Sequence, residues 1–203
     1  MKIVNRLKKA MKDHVFGRSH DLELRLKLAD APYRMTAVDN GFEFFVIETA
    51  EDPRLADIRR DFPKQSRSFD RNLAEGCVLL VLGDSETVMG YFVASPRDLW
   101  DRDCYRVTFK VPPNEIYAYN FYVDPIHRTR PVAKVLLTEG FDWLRKAGYT
   151  DLTAICRSDL KALFRLYRQF GFRPTGRALD MYTVLHFPIS VWTKQRELLP
   201  KKA

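Results

Sequence analysis

The chain has 203 residues, of which 46% are apolar and 30% are charged, a composition typical of a soluble globular protein with a sizeable core. It has no run of 18 apolar residues and no apolar stretch near its N-terminus, so we expect neither a transmembrane helix nor a signal peptide. The three cysteines, Cys77, Cys104 and Cys156, are scattered, which argues against a disulfide framework and a metal site. We therefore expect a cytoplasmic protein. The formal charge of +8 favours polyanionic partners: nucleic acid, anionic lipid, an acidic carrier protein or a phosphorylated cofactor.

Residues 1–41 are rich in Lys and Arg, and we interpret them as a basic, helical N-terminal extension. Within residues 1–16, apolar side chains recur at helical spacing and basic side chains lie elsewhere on the wheel, which predicts an amphipathic helix. Such a helix either packs on the domain or makes a weak contact with a membrane surface or partner, which would place the protein at the membrane periphery.

The folded domain is expected at residues 42–187, followed by a C-terminal tail at 188–203. Its first half predicts a strand at 42–49, a helix from 52 to about 60, and helix or loop over 61–76. A hairpin of strands follows at 77–82 and 87–94. Residues 95–114 form a long charged connection, and such loops inside compact domains are often functional.

The second half alternates strands and helices. We predict strands at 115–124, 151–156 and 181–187, an extended piece at 173–176, a basic turn at 125–130, and helices at 131–146 and 159–170. Hairpin-linked strands that precede strand–helix–strand crossovers indicate a mixed sheet with helices on its faces.

The segment VDPIHRTRPVAK joins the end of a strand to the start of a helix. A helix N-terminus presents unpaired N–H groups and the positive end of the dipole, so it binds phosphate well. The turn adds His127, Arg128 and Arg130, and Lys134 follows one helical turn later. Such a place suits a pyrophosphate, although an ordinary strand–helix turn with solvated charges has the same pattern.

This segment resembles motif A of the GNAT acyltransferases, in which a strand ends V-x-P-x-x-[R/Q]-x-x-G-x-[G/A] before a helix. Val123, Pro125, Arg128 and Ala133 stand at matching places. Pro131 stands at the family's central glycine. Because proline has no N–H, one phosphate donor is lost there, although proline suits the first turn of a helix.

A second segment, LYRQFGF, resembles motif B of the same family through Leu166, Tyr167, Gly171 and Phe172. The resemblance covers about residues 42–187. It implies an α/β (α+β) fold with a GNAT-like mixed, mostly antiparallel central sheet flanked by helices.

The resemblance also implies the donor and its site. The donor is acetyl-CoA or another acyl-CoA, no metal is needed, and the pantetheine arm lies along the splayed strand at Phe121, Tyr122 and Val123. The turn and helix start would hold the phosphates, through Arg128, Thr129, Arg130, Val132, Ala133 and Lys134.

In enzymes of this family an amine attacks the thioester directly. Tyr167 matches the tyrosine that protonates the leaving thiolate, and its ordinary pKa of about 10 suits that task; packing alone is the alternative. Glu115, at the start of the strand before motif A, is the candidate general base, and the alternative is a solvated charge. The acceptor is expected to contact residues 61–76 and 95–114.

Two alternatives stay open. The basic surface, the proline in the loop and the aromatic strand with Tyr117 and Tyr119 favour an N-acyl amino acid synthase that takes its acyl group from an acyl carrier protein. The other alternative is a non-catalytic GNAT-like module that binds RNA or membrane. No RNA-recognition motif occurs, so we expect no nucleic-acid partner.

Overall fold

The protein is described by a computed structural model that covers residues 16–31, 41–102, 104–157, 159–184 and 187–194. Strands and helices are numbered separately in chain order. The strands are β1 (Phe16–Lys27), β2 (Glu43–Ile47), β3 (Val78–Gly83), β4 (Val88–Ser95), β5 (Leu99–Trp100), β6 (Thr108–Phe109), β7 (Glu115–Val123), β8 (Asp151–Arg157), β9 (Arg173–Val184) and β10 (Phe187–Lys194). The helices are α1 (Leu55–Asp61), α2 (Ser66–Ala74), α3 (Val132–Lys146) and α4 (Lys161–Gln169).

Eight strands form one sheet in the order β10-β9-β1-β8-β7-β4-β3-β2. Neighbouring strands are antiparallel except β7 and β8, which run parallel. This confirms the expected mixed, mostly antiparallel sheet flanked by helices. The two remaining strands, β5 and β6, make a separate small hairpin.

Each face of the sheet buries its own apolar cluster, because side chains alternate between the faces of a strand. On the first face, Leu80 and Phe92 pack with Leu136 and Phe141 of α3 and with Tyr167 of α4. On the second face, other strand residues pack against α1, α2 and the β5–β6 hairpin. None of the helices in the described part of the chain is long and apolar enough to cross a bilayer.

The N-terminal region differs from the sequence-based expectation. β1 lies inside the sheet, where it pairs with β8 on one side and with β9 on the other. Leu22, Leu24 and Leu26 are buried in the core while Arg25 and Lys27 are exposed. Apolar and charged residue types alternate with period two from Leu22 to Lys27, which is the signature of a strand, although Glu23 is also buried. The boundary of the folded domain at residue 42 is therefore corrected to include β1. The helix predicted over residues 1–16 lies outside the described residues except for Phe16, which begins β1.

The C-terminal boundary also moves. β9 is one continuous strand from Arg173 to Val184, and β10 then pairs with it antiparallel as far as Lys194. The tail expected to begin at residue 188 therefore starts as an edge strand. Proline lacks an N–H for the ladder but is tolerated on edge strands, which explains why Pro188 does not end the sheet.

Gly140 allows α3 to lie close to the sheet. A Cβ at this position would be 2.7 Å from two ring carbons of Phe92 and 3.3 Å from Leu80. Alanine improves intrinsic helix stability by about 1 kcal/mol, but overpacking a core costs about 1–3 kcal/mol. We therefore expect Gly140→Ala to lower the free energy of unfolding in urea by about 1 kcal/mol. The double variant with Phe92→Leu should recover part of that loss, and a stabilised single variant would contradict the close packing.

Candidate active site

The two parallel strands at the centre of the sheet separate along their length. Residues 115–118 of β7 pair with residues 151–154 of β8, and β7 then continues through residues 119–123 without a partner on that side in the described sheet. Its other edge stays paired with β4 up to Val123. A gap therefore opens between β7 and β8. An unpaired strand edge of this kind can bind the amides of an extended ligand.

A β-bulge lies in β7 beside this gap. Val93 of β4 pairs with Tyr119 and Tyr91 pairs with Tyr122, so two residues of β7 stand opposite one residue of β4. Asn120, inside the bulge, has a positive φ of 50°. Bulges re-aim side chains and amides and are common next to active sites, and such strained residues cluster at functional sites.

Phe121 and Tyr122, which follow the bulge, point to opposite faces of the sheet, as neighbouring residues of a strand do. The Phe121 ring lies on the first face, with its centroid 6.4 Å from that of Tyr167. The Tyr122 ring lies on the second face, stacked at 5.9 Å on Tyr91. Side chains of β7 therefore contribute to both sides of the sheet at the point where the gap opens.

The turn after β7 is held by its own side chains. Asp124 accepts a hydrogen bond from the Ile126 amide at 3.0 Å. The Arg128 Nε donates to the Val123 carbonyl at 3.0 Å, and its guanidinium lies 5.9 Å from the centre of the Tyr122 ring. The outer nitrogens of Arg128 make no hydrogen bond among the described residues, so they stay available to a ligand at the turn.

Pro131 is the N-cap residue of α3, with φ of −74°, which fits the start of a helix. Its carbonyl accepts from the Lys134 and Val135 amides, each at 3.0 Å. The amides of Thr129, Val132 and Ala133 have no acceptor in the described part of the chain. The proline thus removes one donor and leaves three at the positive end of a helix of 15 residues, where anions bind.

The basic side chains of the turn differ in how many contacts they make with other protein groups. Arg130 lies 3.8 Å from Asp84, contacts Met89 Sδ at 3.4 Å and sits 4.7 Å from the centre of the Phe42 ring. Lys134 is exposed and has no ion pair among the described residues. Arg128 and Lys134 are therefore better placed than Arg130 to meet a phosphate.

Tyr167 projects from α4 into the wall of the gap and is 5% exposed. Its ring centroid lies 4.7 Å from that of Phe172, and its hydroxyl makes no hydrogen bond within the described residues. Burial raises the pKa of Tyr167 above its usual value, and the nearby Cys156 adds to that shift. A raised pKa keeps the hydroxyl protonated near neutral pH, so its proton is present for transfer, but it also makes Tyr167 a weaker acid than an ordinary tyrosine.

Glu115 lies away from the gap, at the opposite end of β7 from the turn. Eight residue steps along a strand span about 26 Å. There Glu115 forms an ion pair with Arg25, whose Nε also donates to Asp151 at 2.9 Å. The structure therefore does not bring Glu115 together with Tyr167 or the turn, which argues against its predicted role as general base.

On the second face, two hollows meet at Asn120. One has a volume of about 350 Å³ and the other of about 30 Å³. The larger is lined by Lys64, Gln65, Ser68, Phe69, Tyr91, Asn120, Phe121 and Tyr122. The smaller lies between α2 and the β5–β6 hairpin, above Tyr119 and Asn120. Of the segments expected to contact an acceptor, 61–76 thus supplies walls of both hollows, and 95–114 supplies walls of the smaller one.

Sequence reasoning missed Asn120 and the carboxylates of the smaller hollow, Glu75 and Asp101. A bulge depends on the register between two strands, so no local pattern predicts it. Within the described residues, no group of three or more His, Cys, Asp or Glu side chains is placed to hold a metal.

A sequence model of the acetyltransferase (GNAT) family matches residues 40–172. No protein with a curated description matches the chain significantly.

Similar solved structures include a tandem GNAT protein from the clavulanic acid biosynthesis pathway, with a TM-score of 0.57 and 11% identity over 96% of this chain and 59% of that one. Another is the glucosamine N-acetyltransferase region of a fungal multi-domain β-N-acetylglucosaminidase, with a TM-score of 0.56 and 14% identity over 84% and 22%. A third is a Drosophila protein, with a TM-score of 0.54 and 12% identity over 92% and 59%.

The chain spans about three fifths of the tandem GNAT and Drosophila proteins and about a fifth of the fungal protein. At these identities the likeness establishes the fold alone. The family match itself covers well over half of the chain, and the observed sheet has the expected form. The chain therefore belongs to the GNAT acetyltransferase family.

Proposed function

We propose that the protein transfers an acetyl or longer acyl group from a coenzyme A thioester to an amine. The observation that supports this most strongly is the gap between β7 and β8, which has the basic turn 125–130 at its mouth and Tyr167 in its wall. Family membership alone supports the reaction class. The roles that we propose for this chain's own residues rest on the geometry of the gap and the turn.

The donor would enter along the first face. The pyrophosphate binds the amides of Thr129, Val132 and Ala133, with Arg128 and Lys134 giving charge-assisted bonds. The arm then follows the unpaired edge of β7, so that the thioester carbonyl reaches the bulge. A backbone amide there can stabilise the oxyanion as the carbonyl is attacked.

The acceptor would enter from the second face, through the hollows that meet at Asn120. The two substrates then approach the bulge from opposite sides of the sheet, which gives the amine a direct line to the carbonyl carbon. Tyr167 protonates the thiolate as the C–S bond breaks. This arrangement needs no covalent enzyme intermediate.

The test is calorimetric titration with acetyl-CoA. We expect micromolar binding that weakens by about tenfold or more in Arg128→Ala, because one charge-assisted hydrogen bond contributes about 1.5–3 kcal/mol. Lys146→Ala removes a cation from the far end of the same helix and is the matched control. Absence of acetyl-CoA binding would overturn the donor site, as would equal weakening by both variants.

One observation favours a carrier protein as a second candidate donor. The exposed residues Lys161, Arg165 and Arg168 share one face of α4, beside the gap, and make no ion pair among the described residues. Such a surface would steer an acidic carrier protein.

We expect the triple variant with Glu at these three positions to lose activity with an acyl-carrier-protein thioester and to keep it with acyl-CoA. Equal loss of activity with both donors would mean that these three basic residues bind coenzyme A itself. Unchanged activity with both would remove the carrier-protein candidate.

A further inference from the structure

The β5–β6 hairpin is fixed over the second face of the sheet by aromatic and polar contacts. The Phe109 ring stacks on Tyr117 with centroids 4.3 Å apart and meets Trp192 edge-on at 5.7 Å. The Tyr105 hydroxyl donates to the buried Asp21 carboxylate at 2.9 Å. Tyr105 and Phe109 of the hairpin therefore have defined positions relative to β7 and β1.

The smaller of the two hollows separates this hairpin from α2, and we call it the channel from here on. Arg102 at the hairpin tip pairs with Glu75 after α2 at 3.3 Å. The space inside is about 30 Å³ and ends on Tyr119 and Asn120. Since roughly 10–15 Å³ holds one water molecule, the channel has room for a small polar group next to the bulge.

Asp101 has one carboxylate oxygen fixed and one free in this channel. Its Oδ1 accepts from the Cys104 amide at 2.8 Å and from the Tyr105 amide at 3.1 Å, while its Oδ2 makes no hydrogen bond among the described residues. Glu75, the other lining carboxylate, is already paired with Arg102. Asp101 is thus a preorganised carboxylate that lines the same hollow as Asn120.

We propose that Asp101 binds the ammonium group of the acceptor and takes its proton. This inference rests on the proposed acyl transfer and names its acceptor class: aliphatic amines that are protonated near neutral pH. A neutral hydroxyl acceptor would leave the Asp101 charge desolvated and unpaired, which is unfavourable.

The proton and bond changes balance. The ammonium gives one proton to Asp101 Oδ2, which passes it to solvent, and the neutral amine forms the C–N bond to the thioester carbon. The C–S bond breaks, and the thiolate takes the hydroxyl proton of Tyr167. The second proton on nitrogen leaves to solvent as the amide forms, and solvent reprotonates Tyr167.

Asp101→Asn tests the charge while keeping the turn, because the amide oxygen can still accept from the two backbone N–H groups. Asp98 is the matched control: its Oδ1 also accepts from a backbone amide, that of Val111 at 3.0 Å, and it pairs with Lys110 at 2.5 Å, but it does not line the hollow at Asn120. With acetyl-CoA and a panel of primary amines, thiol release should fall about 10²–10⁴-fold in Asp101→Asn. Asp98→Asn should stay within about twofold.

The pH profile separates proton transfer from packing. The charged and titratable groups that line the channel are Arg71, Glu75, Asp101, Arg102, Cys104 and Tyr119. Loss of the acidic limb of kcat/KM in Asp101→Asn, but not in Asp98→Asn, is the expected result. An unchanged profile, or an equal loss of activity in both variants, would overturn the proposal.

A binding measurement keeps the proposal testable without turnover. Cys104 lines the channel and is exposed, whereas Cys77 and Cys156 are buried. Butylammonium is expected to slow alkylation of Cys104 by iodoacetamide, butanol is not, and Asp101→Asn should abolish the protection. Equal effects of butylammonium and butanol would refute ammonium binding. Protection without any acetyl-CoA binding would instead refute the donor site and leave the channel assignment standing.

Discussion

Tyr167→Phe is expected to lower kcat by about 10²–10⁴-fold, the usual contribution of a general acid, and to leave the affinity for acyl-CoA nearly unchanged. Phenylalanine keeps the ring contacts with Phe121 and Phe172, so the variant loses only the hydroxyl. A change confined to kcat would show that the hydroxyl acts in the transition state rather than in binding. Single-turnover release of thiol from acetyl-CoA measures the step directly.

The pH dependence strengthens this test. Because burial raises the pKa of Tyr167, the hydroxyl stays protonated well above neutral pH, and kcat should not fall on the alkaline side up to about pH 10. Tyr149→Phe is the control, since Tyr149 is a half-buried tyrosine outside the gap. If Tyr167→Phe keeps full kcat, the thiolate leaves without help from this residue, and Tyr167 is only part of the core.

The elements around the basic turn 125–130 could be predicted because each has a clear pattern in its own stretch of sequence. β7 is a long aromatic strand, α3 begins after Pro131 and a basic turn, and α4 ends at Gln169, two residues before Gly171, whose φ of 91° suits glycine. β1 was missed although its alternation is strict. The sequence places it far from its neighbours, and β8 and β9 lie more than a hundred residues away. A local pattern identifies a strand but not the sheet position that makes it part of the domain.

The candidate site likewise contains residues that sequence motifs predicted and residues that only the tertiary structure reveals. The turn and Tyr167 follow from two motifs, whereas the placement of Glu115 required knowing which end of β7 opens away from β8. Asn120 and Asp101 depend on a bulge and on the packing of a hairpin against α2. Those contacts join segments that no period or spacing connects, so residue type alone could not identify them.

A buried carboxylate on β1 provides a test of stability. Asp21 is fully buried. Its Oδ2 accepts from the Tyr105 hydroxyl at 2.9 Å and the Ser19 hydroxyl at 3.1 Å, and its Oδ1 has no partner in the described part of the chain. Burial raises the pKa of Asp21 above 3.8, despite the opposing effects of these hydrogen bonds and of Arg157. The charged form is therefore less stable in the folded protein than in the unfolded chain.

The sign of the pH effect follows by linkage. An acid whose pKa is higher in the folded state stabilises the fold fully below pH 3.8, and this contribution is lost as pH rises through the folded-state pKa. Asp21→Asn removes that titration and keeps an oxygen for the Tyr105 and Ser19 hydroxyls. We expect the variant to be more stable than the wild type at pH 7 by about 1 kcal/mol, the lower end of the cost of an unsatisfied buried polar group. The difference should shrink towards pH 4 in urea unfolding.

Tyr105→Phe is the counter-test for Asp21, because it removes the strongest hydrogen bond to the carboxylate. It should destabilise the protein at pH 7 and steepen the loss of stability with rising pH. A stability difference between Asp21→Asn and the wild type that does not change with pH would instead mean that the buried charge is fully compensated. If the Asn variant is more stable and also less active, the carboxylate persists at the expense of stability, as expected for a group that serves the reaction rather than the fold.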